Sequence, residues 1–326
     1  MTRVLEWADT DLVTSMIELI TAPSSLGLRP QTPGHEPGAW RAPAALLEAG
    51  LAERLRAVRV VELDHPRYDF EPQPGTRIRN GRTLRAYSMK LAEAVAAALA
   101  TSRFPVVIGG DCSVLLGCLL GARRGGRCGL LHIDGHSDFH HPNNYDTTAS
   151  LGSVAGMDLA AATGRGEPIL THWPQVGTPL VADEDVIQLG DRESDVAGPP
   201  DDWIPVMDSA IVGLTAQQVL GLGVDQVAKR VIERLDARGL DRVWPHLDLD
   251  VLDGEVMPAV DSPGSPGLDF TQLSGLLAKL VRDGRVLGLD VTIYDPELDP
   301  ETAYAGPIVE CLARGLAHHP EEVKTR

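Results

Sequence analysis

Three short segments bring together residue types that bind metal ions. They are Gly109-Gly110-Asp111-Cys112-Ser113, Asp134-Gly135-His136-Ser137-Asp138, and Asp248-Leu249-Asp250 followed by Asp253. In the second, ligand-type residues stand two apart, and side chains two apart on an extended chain point to the same side. Asp134, His136 and Asp138 are therefore expected to converge, and Asp248 and Asp250 to do so from another strand. Carboxylates and an imidazole gathered at neighbouring strand ends repel one another unless a cation sits among them. An oxygen-rich set with an imidazole suits a hard or borderline divalent ion. A D-x-H-x-D or D-x-D alone is commonly a solvated loop. Three such segments, each closing an apolar run, make a metal site the better reading.

The elements that must position these groups are legible as alternating runs. Compact apolar stretches predict strands at Met16–Ile20, Val58–Leu63, Pro105–Ile108, Gly129–Asp134, Asp185–Leu189, Val243–Asp248 and Val286–Val291. Amphipathic stretches predict helices at Thr83–Ser102, Ser113–Ala122, Val224–Ala237, Phe270–Asp283 and Thr302–His318, with Asp269 placed to cap the fourth. Strand–helix alternation means βαβ units, hence an α/β chain with a mostly parallel sheet covered on both faces. Gly27–Gly38, His140–Ser150 and Asp191–Ser209 break the rhythm. Loops of that kind either wall the ligand site beyond the strand ends or are plain surface loops. No repeat, low-complexity tract or linker divides the chain, so residues 1–326 are read as one domain.

Composition narrows the partners. The chain carries 46 acidic and 29 basic residues, a net charge of −17, which disfavours nucleic acid and anionic membranes. Its 43% hydrophobic content supports a large core. Four cysteines, at 112, 118, 128 and 311, show no C-x-x-C pairing and suit a reducing cytoplasm; outside Cys112 they read as small apolar filler. Glu6, Asp9 and Asp11 occupy the start, with no basic region leading into an apolar run, so no signal peptide is read there. No apolar stretch approaches the length of a membrane span. A cytoplasmic, soluble protein is the expectation.

Taken together, the three segments resemble the signature motifs of the ureohydrolases, the family of arginase, agmatinase and formiminoglutamase. Ile20-Thr21-Ala22-Pro23-Ser24-Ser25-Leu26-Gly27 and Gly38-Ala39-Trp40-Arg41-Ala42-Pro43-Ala44-Ala45-Leu46 resemble that family's opening strand and loop, and the likeness runs with gaps from about residue 16 to 316. The resemblance implies a three-layer α/β/α fold around a mostly parallel, eight-stranded sheet. It implies two divalent ions, commonly manganese, sharing a hydroxide that attacks the carbon of a small molecule's C–N bond. By motif position Asp134 and Asp248 would bridge both ions, His136 and Asp250 would complete one site, and Asp138 and Cys112 the other. Asp138 is also the candidate proton carrier to the leaving nitrogen. A homo-oligomer, trimer or hexamer, is implied as well.

Departures from the family pattern bear on the substrate. Cys112 stands where the family has a histidine ligand, and a thiolate shifts preference toward zinc, iron or nickel. Three readings are open: a ligand with altered metal preference, an empty second site, or a nucleophile at a helix N-terminus. Ala155-Gly156 matches the family's His-Gly proton-shuttle pair; His140 and His141 are candidate replacements, with exposed loop histidines the alternative. His246, two residues before Asp248, reads as a partner to a carboxylate behind the ligands. In Leu289-Asp290-Val291-Thr292-Ile293-Tyr294-Asp295-Pro296, Ile293 holds the place of the glutamate that pairs with guanidinium; Asp295 would substitute only if the loop shifts. An unpaired buried charge costs several kcal/mol, so a neutral amide, formamide or urea is the expected scissile group rather than arginine. Asn143, Asn144, Tyr145, Thr147, Thr148, Asp191 and Glu193 are candidate substrate contacts or solvated loop residues.

Other signals are weak. Gly221-Leu222-Gly223 is a turn between helices, Gly264-Ser265 lies in a Pro-rich loop, no phosphate loop is present, and His318 and His319 read as solvated. Two further functions compete with the hydrolase. One is a catalytically silent member that binds metal or ligand. The other is a mononuclear deacylase resembling the fold-related histone deacetylases.

Overall fold

A computed structural model describes residues 16–144, 146, 148, 150–193 and 202–317. The candidates Tyr145, Thr147, His318 and His319 and the N-terminal acids lie outside the described residues. Among the described residues, nine strands form one sheet: β1 (Ile17–Ala22), β2 (Arg59–Glu62), β3 (Phe104–Gly109), β4 (Gly129–Ile133), β5 (Val186–Asp191), β6 (Ile204–Pro205), β7 (Val212–Thr215), β8 (Val243–Asp248) and β9 (Leu289–Thr292). Their order is β2-β1-β3-β9-β8-β4-β5-β7-β6. Only the edge pair β6–β7 is antiparallel.

The eight parallel strands match the expected sheet, with the two-residue β6 added at one edge. Strands β6 and β7 escape the sequence reading because one is very short and the other is interrupted by Gly213. The last long strand begins three residues later than its apolar run, since Val286 makes only an isolated bridge to Val243.

Ten α-helices among the described residues flank the sheet: α1 (Ala42–Glu48), α2 (Leu51–Arg54), α3 (Gly81–Ala100), α4 (Val114–Arg123), α5 (Asp158–Ala162), α6 (Pro168–Thr171), α7 (Ala216–Leu222), α8 (Val224–Arg238), α9 (Phe270–Arg282) and α10 (Ala305–Leu316). Residues alternating along each strand sort to opposite faces, as the pleat requires. Leu131, Ile133, Val243, Leu247, Leu289 and Val291 meet α1, α2 and α7–α10 in one core. Leu130, Trp244 and Val107 meet α3–α6 in the other. Asp269 caps α9 through a reciprocal capping box with Gln272. Because β3, β9, β8 and β4 are adjacent and parallel, the segments after β3, β4 and β8 emerge side by side at one edge.

Candidate metal centre

The turn after β3 is closed by Gly110, where a Cβ would lie 1.8 Å from Ser24 O, so no side chain fits. It delivers Cys112, 2% exposed, to the sheet edge. Just past the end of β4 come Asp134 and His136, and Asp248 ends β8 with Asp250 in the turn that follows. His136 Nδ1 lies 2.9 Å from Asp250 Oδ2 and 3.7 Å from Asp134 Oδ1. Asp134, His136 and Asp250 can each offer one atom to a common ion, as can Cys112 and Asp248 together with His246. The backbone fixes these carboxylates. Asp134 Oδ1 accepts the His136 amide at 2.6 Å, Asp248 Oδ1 the Asp250 amide at 2.7 Å, and Asp250 Oδ1 the Gly135 amide at 3.1 Å. Arg192 donates to the Asp250 carbonyl and holds that turn.

The electrostatics call for a cation. Burial, then Asp250 and Asp134, push the Asp248 carboxyl well up, and burial with Asp134, Asp158 and Asp248 does the same to Asp138. Burial opposes charge on His136, yet the hydrogen bonds it donates to Asp134 and Asp250 raise its pKa to about 11. Asp134 Oδ2 is buried without a hydrogen-bond partner. An orphaned carboxylate oxygen among crowded acids is a donor set that fits a divalent ion.

Cys112 behaves as a thiol here: Sγ donates to Asp248 Oδ2 at 2.7 Å, and burial and Asp248 push its pKa well up. That environment works against the nucleophile reading, which needs a stabilised thiolate. Asp253 stays out of the cluster; its carboxylate accepts from Glu255 N, Gly267 N and Ser265 Oγ.

A cavity of about 940 Å³ opens over this edge, lined by Cys112, His136, Asp138, Asp248, Asp250 and Ile293 among others. His140, Glu193 and Ala155 line it too. His141, Asn143 and Asn144 do not. Their groups close their own turn: Asn144 Oδ1 accepts the His141 amide, His141 Nδ1 accepts the Asn143 amide, and Asn144 Nδ2 donates to Phe139 O. Thr148 is likewise turned to Asp146. Asp191 is buried off the cavity and accepts the Glu193 amide. Asp295 accepts from the amides of Gly38 and Glu297, so the loop has not shifted to present it. Ile293 reaches the cavity through an uncommon backbone: its φ is +73°, a strained value for a β-branched residue, and its amide donates to Gly110 O at 2.6 Å.

This geometry coincides with a family match over most of the chain. The family model described as the Arginase family aligns to residues 17–312. The chain belongs to the arginase family. Arginase from Bacillus caldovelox is 31% identical over 314 residues, covering 91% of this chain and 96% of that protein. Its solved structure superposes with a TM-score of 0.78 at 28% identity, over 94% of this chain and 99% of the other. Proclavaminate amidino hydrolase from Streptomyces clavuligerus shares the fold at a TM-score of 0.62 and 19% identity, covering 92% and 90%. Arginase-family membership makes this a hydrolase of the class that acts on carbon–nitrogen bonds. The fold expectation of three α/β/α layers holds.

Two buried residues here carry chemistry that the sequence reading passed over, His132 and Asp158. His132 stands two residues before Asp134 as His246 does before Asp248, and that parity was the available signal. Asp158 had none, because it comes from a helix start remote from every motif. His246 meets the expected carboxylate, Asp290, at 2.5 Å.

Proposed function

We propose that this chain hydrolyses a carbon–nitrogen bond of a small molecule whose reacting group is neutral, an amide, formamide or urea. The observation that carries the reading is the convergence of Asp134, His136 and Asp250, with Asp248 beside Cys112, at a cavity whose lining includes Ile293. Asp134, His136, Asp248 and Asp250, with Asp138 and Cys112, would hold two divalent cations, manganese by family likeness or zinc, iron or nickel by the thiol. Such a pair lowers the pKa of a shared water and stabilises charge on a tetrahedral intermediate.

The chain's own groups do the rest. Asp138, its carboxyl pushed up by burial and by Asp134, Asp158 and Asp248, lines the cavity as the group to accept a proton and pass it to the leaving nitrogen. His140 at the cavity wall is placed to exchange that proton with solvent. Glu193 stands at the rim for polar parts of the substrate, while Ile293 offers an apolar surface where a guanidinium would need a carboxylate.

The test is a panel of amides, formamides, ureas, amidines and guanidines with the metal restored. Neutral substrates should be turned over, and guanidino compounds should lag by about 100-fold, the equivalent of about 3 kcal/mol for an unpaired buried charge. Ile293→Glu should narrow that gap. Preferred turnover of arginine by the unsubstituted protein would refute the substrate assignment.

A further inference from the structure

One strand rung below the cavity-facing ligands lies a second set of metal-binding groups. His132 on β4 and His246 on β8 are cross-strand partners, and both are fully buried. Their rings stack at 5.0 Å between centroids. Asp158, the first residue of α5, reaches them from the helical layer. Its Oδ1 is 3.5 Å from His132 Nε2, and its Oδ2 is 3.5 Å from His246 Nε2. Two atoms bound tetrahedrally to one zinc-sized ion lie about 3.3–3.6 Å apart. Each of the two separations here runs to a different oxygen of Asp158 and exceeds a good N–H···O hydrogen bond, and one ligand atom from each of the three residues lies within 4.8 Å of the others, close enough to share an ion.

Hydrogen bonding leaves this set unsatisfied. Both His132 nitrogens, His246 Nε2, both Asp158 carboxylate oxygens and Asp134 Oδ2 are buried without a hydrogen-bond partner. The tautomer of His246 is fixed from behind. Asp290 accepts from Trp244 Nε1 at one oxygen and from His246 Nδ1 at the other, both at 2.5 Å. A carboxylate behind an imidazole is the usual way a metal-binding histidine is oriented. It turns Nε2 toward the Asp158 carboxylate, and in a dry interior that pair must be bridged by a proton or by a cation.

We propose that His132, Asp158 and His246 form a buried seat for one divalent cation, separate from the Asp134–His136–Asp250 set and independent of the hydrolytic reading. Two imidazoles beside one carboxylate favour zinc, cobalt or nickel over manganese or magnesium. Asp134 Oδ2, 3.6 Å from His132 Nε2, stands between the two sets. With every donor inside the core, the ion is taken up as the chain folds.

The unsubstituted protein, stripped and reloaded with a single equivalent of zinc, provides a readout that needs no variant. X-ray absorption at the zinc edge should show two imidazoles on the ion, because every other candidate set among the described residues offers a single histidine. One imidazole or none would overturn the proposal. Elemental analysis of Asp158→Asn and of His132→Gln paired with His246→Gln should show a loss of about one zinc equivalent. His136→Ala should lose a different equivalent. Circular dichroism checks that each variant is folded. Unchanged zinc in folded variants would mean that protons neutralise the cluster, and would also overturn it. A protein that passes both tests yet hydrolyses nothing would sink the hydrolase reading alone.

Discussion

At the scale of single residues, the site is decided by a few substitutions in a shared frame. Cys112 offers sulfur where the resemblance implies imidazole, and its thiol already donates to Asp248. Replacing it by serine keeps a donor of similar size but removes the soft atom. Cys112→Ser should therefore weaken zinc relative to manganese, on the order of tenfold, in competitive metal loading. Equal loss of both metals would point to a packing role instead. The gathering of Asp134, His136 and Asp250 was legible in the sequence because ligand-type residues close the apolar runs, although they sit just past β4 and in the turn after β8 rather than on the strands. The side-chain use of Asn143 and Asn144 was not, because turn closure depends on local loop geometry that spacing does not encode. Nor was the left-handed backbone of Ile293, which the Gly110 carbonyl enforces from another strand.

At the scale of elements, the parallel sheet aligns its strand ends only if the strands hold their register. Asp185, at the entry to β5, is 5% exposed and accepts from both Arg127, ahead of β4, and Arg238, at the end of α8. Burial opposes the charge, but those two guanidinium groups hold its carboxyl below the usual carboxylate range. A depressed folded pKa contributes stability that is present above the unfolded value near about 4 and is lost as pH falls through the folded one. Asp185→Asn should cost about 1–3 kcal/mol at neutral pH, less in acid, in denaturant unfolding. A cost that does not shrink below about pH 4 would contradict this. The long amphipathic helices were readable from periodicity and from the Asp269 cap. The short strands β6 and β7 were not, since so few residues carry no period; their pairing comes from the sheet edge they complete.

At the scale of the molecule, the acid-rich sheet edge makes the fold a partner of its cations. Ions that bind only the folded chain add stability by mass action, about 2.7 kcal/mol at one hundred times the dissociation constant. Chelation should lower the melting temperature by about 4 °C for each ion removed at neutral pH. Because the ligands must shed protons to bind, that drop should grow as pH rises from about 5 to about 8. A melting temperature indifferent to chelator would argue that the edge holds no ion.

The most direct test is metal content against a ligand variant. Purified protein, stripped and then dialysed against manganese or zinc, is measured by elemental analysis beside His136→Ala combined with Asp250→Ala, with the fold of each checked. The account predicts at least about two equivalents in the unsubstituted chain and the loss of about one in the variant, together with hydrolytic turnover. Less than one equivalent in the unsubstituted chain, or the same content in both, would contradict it.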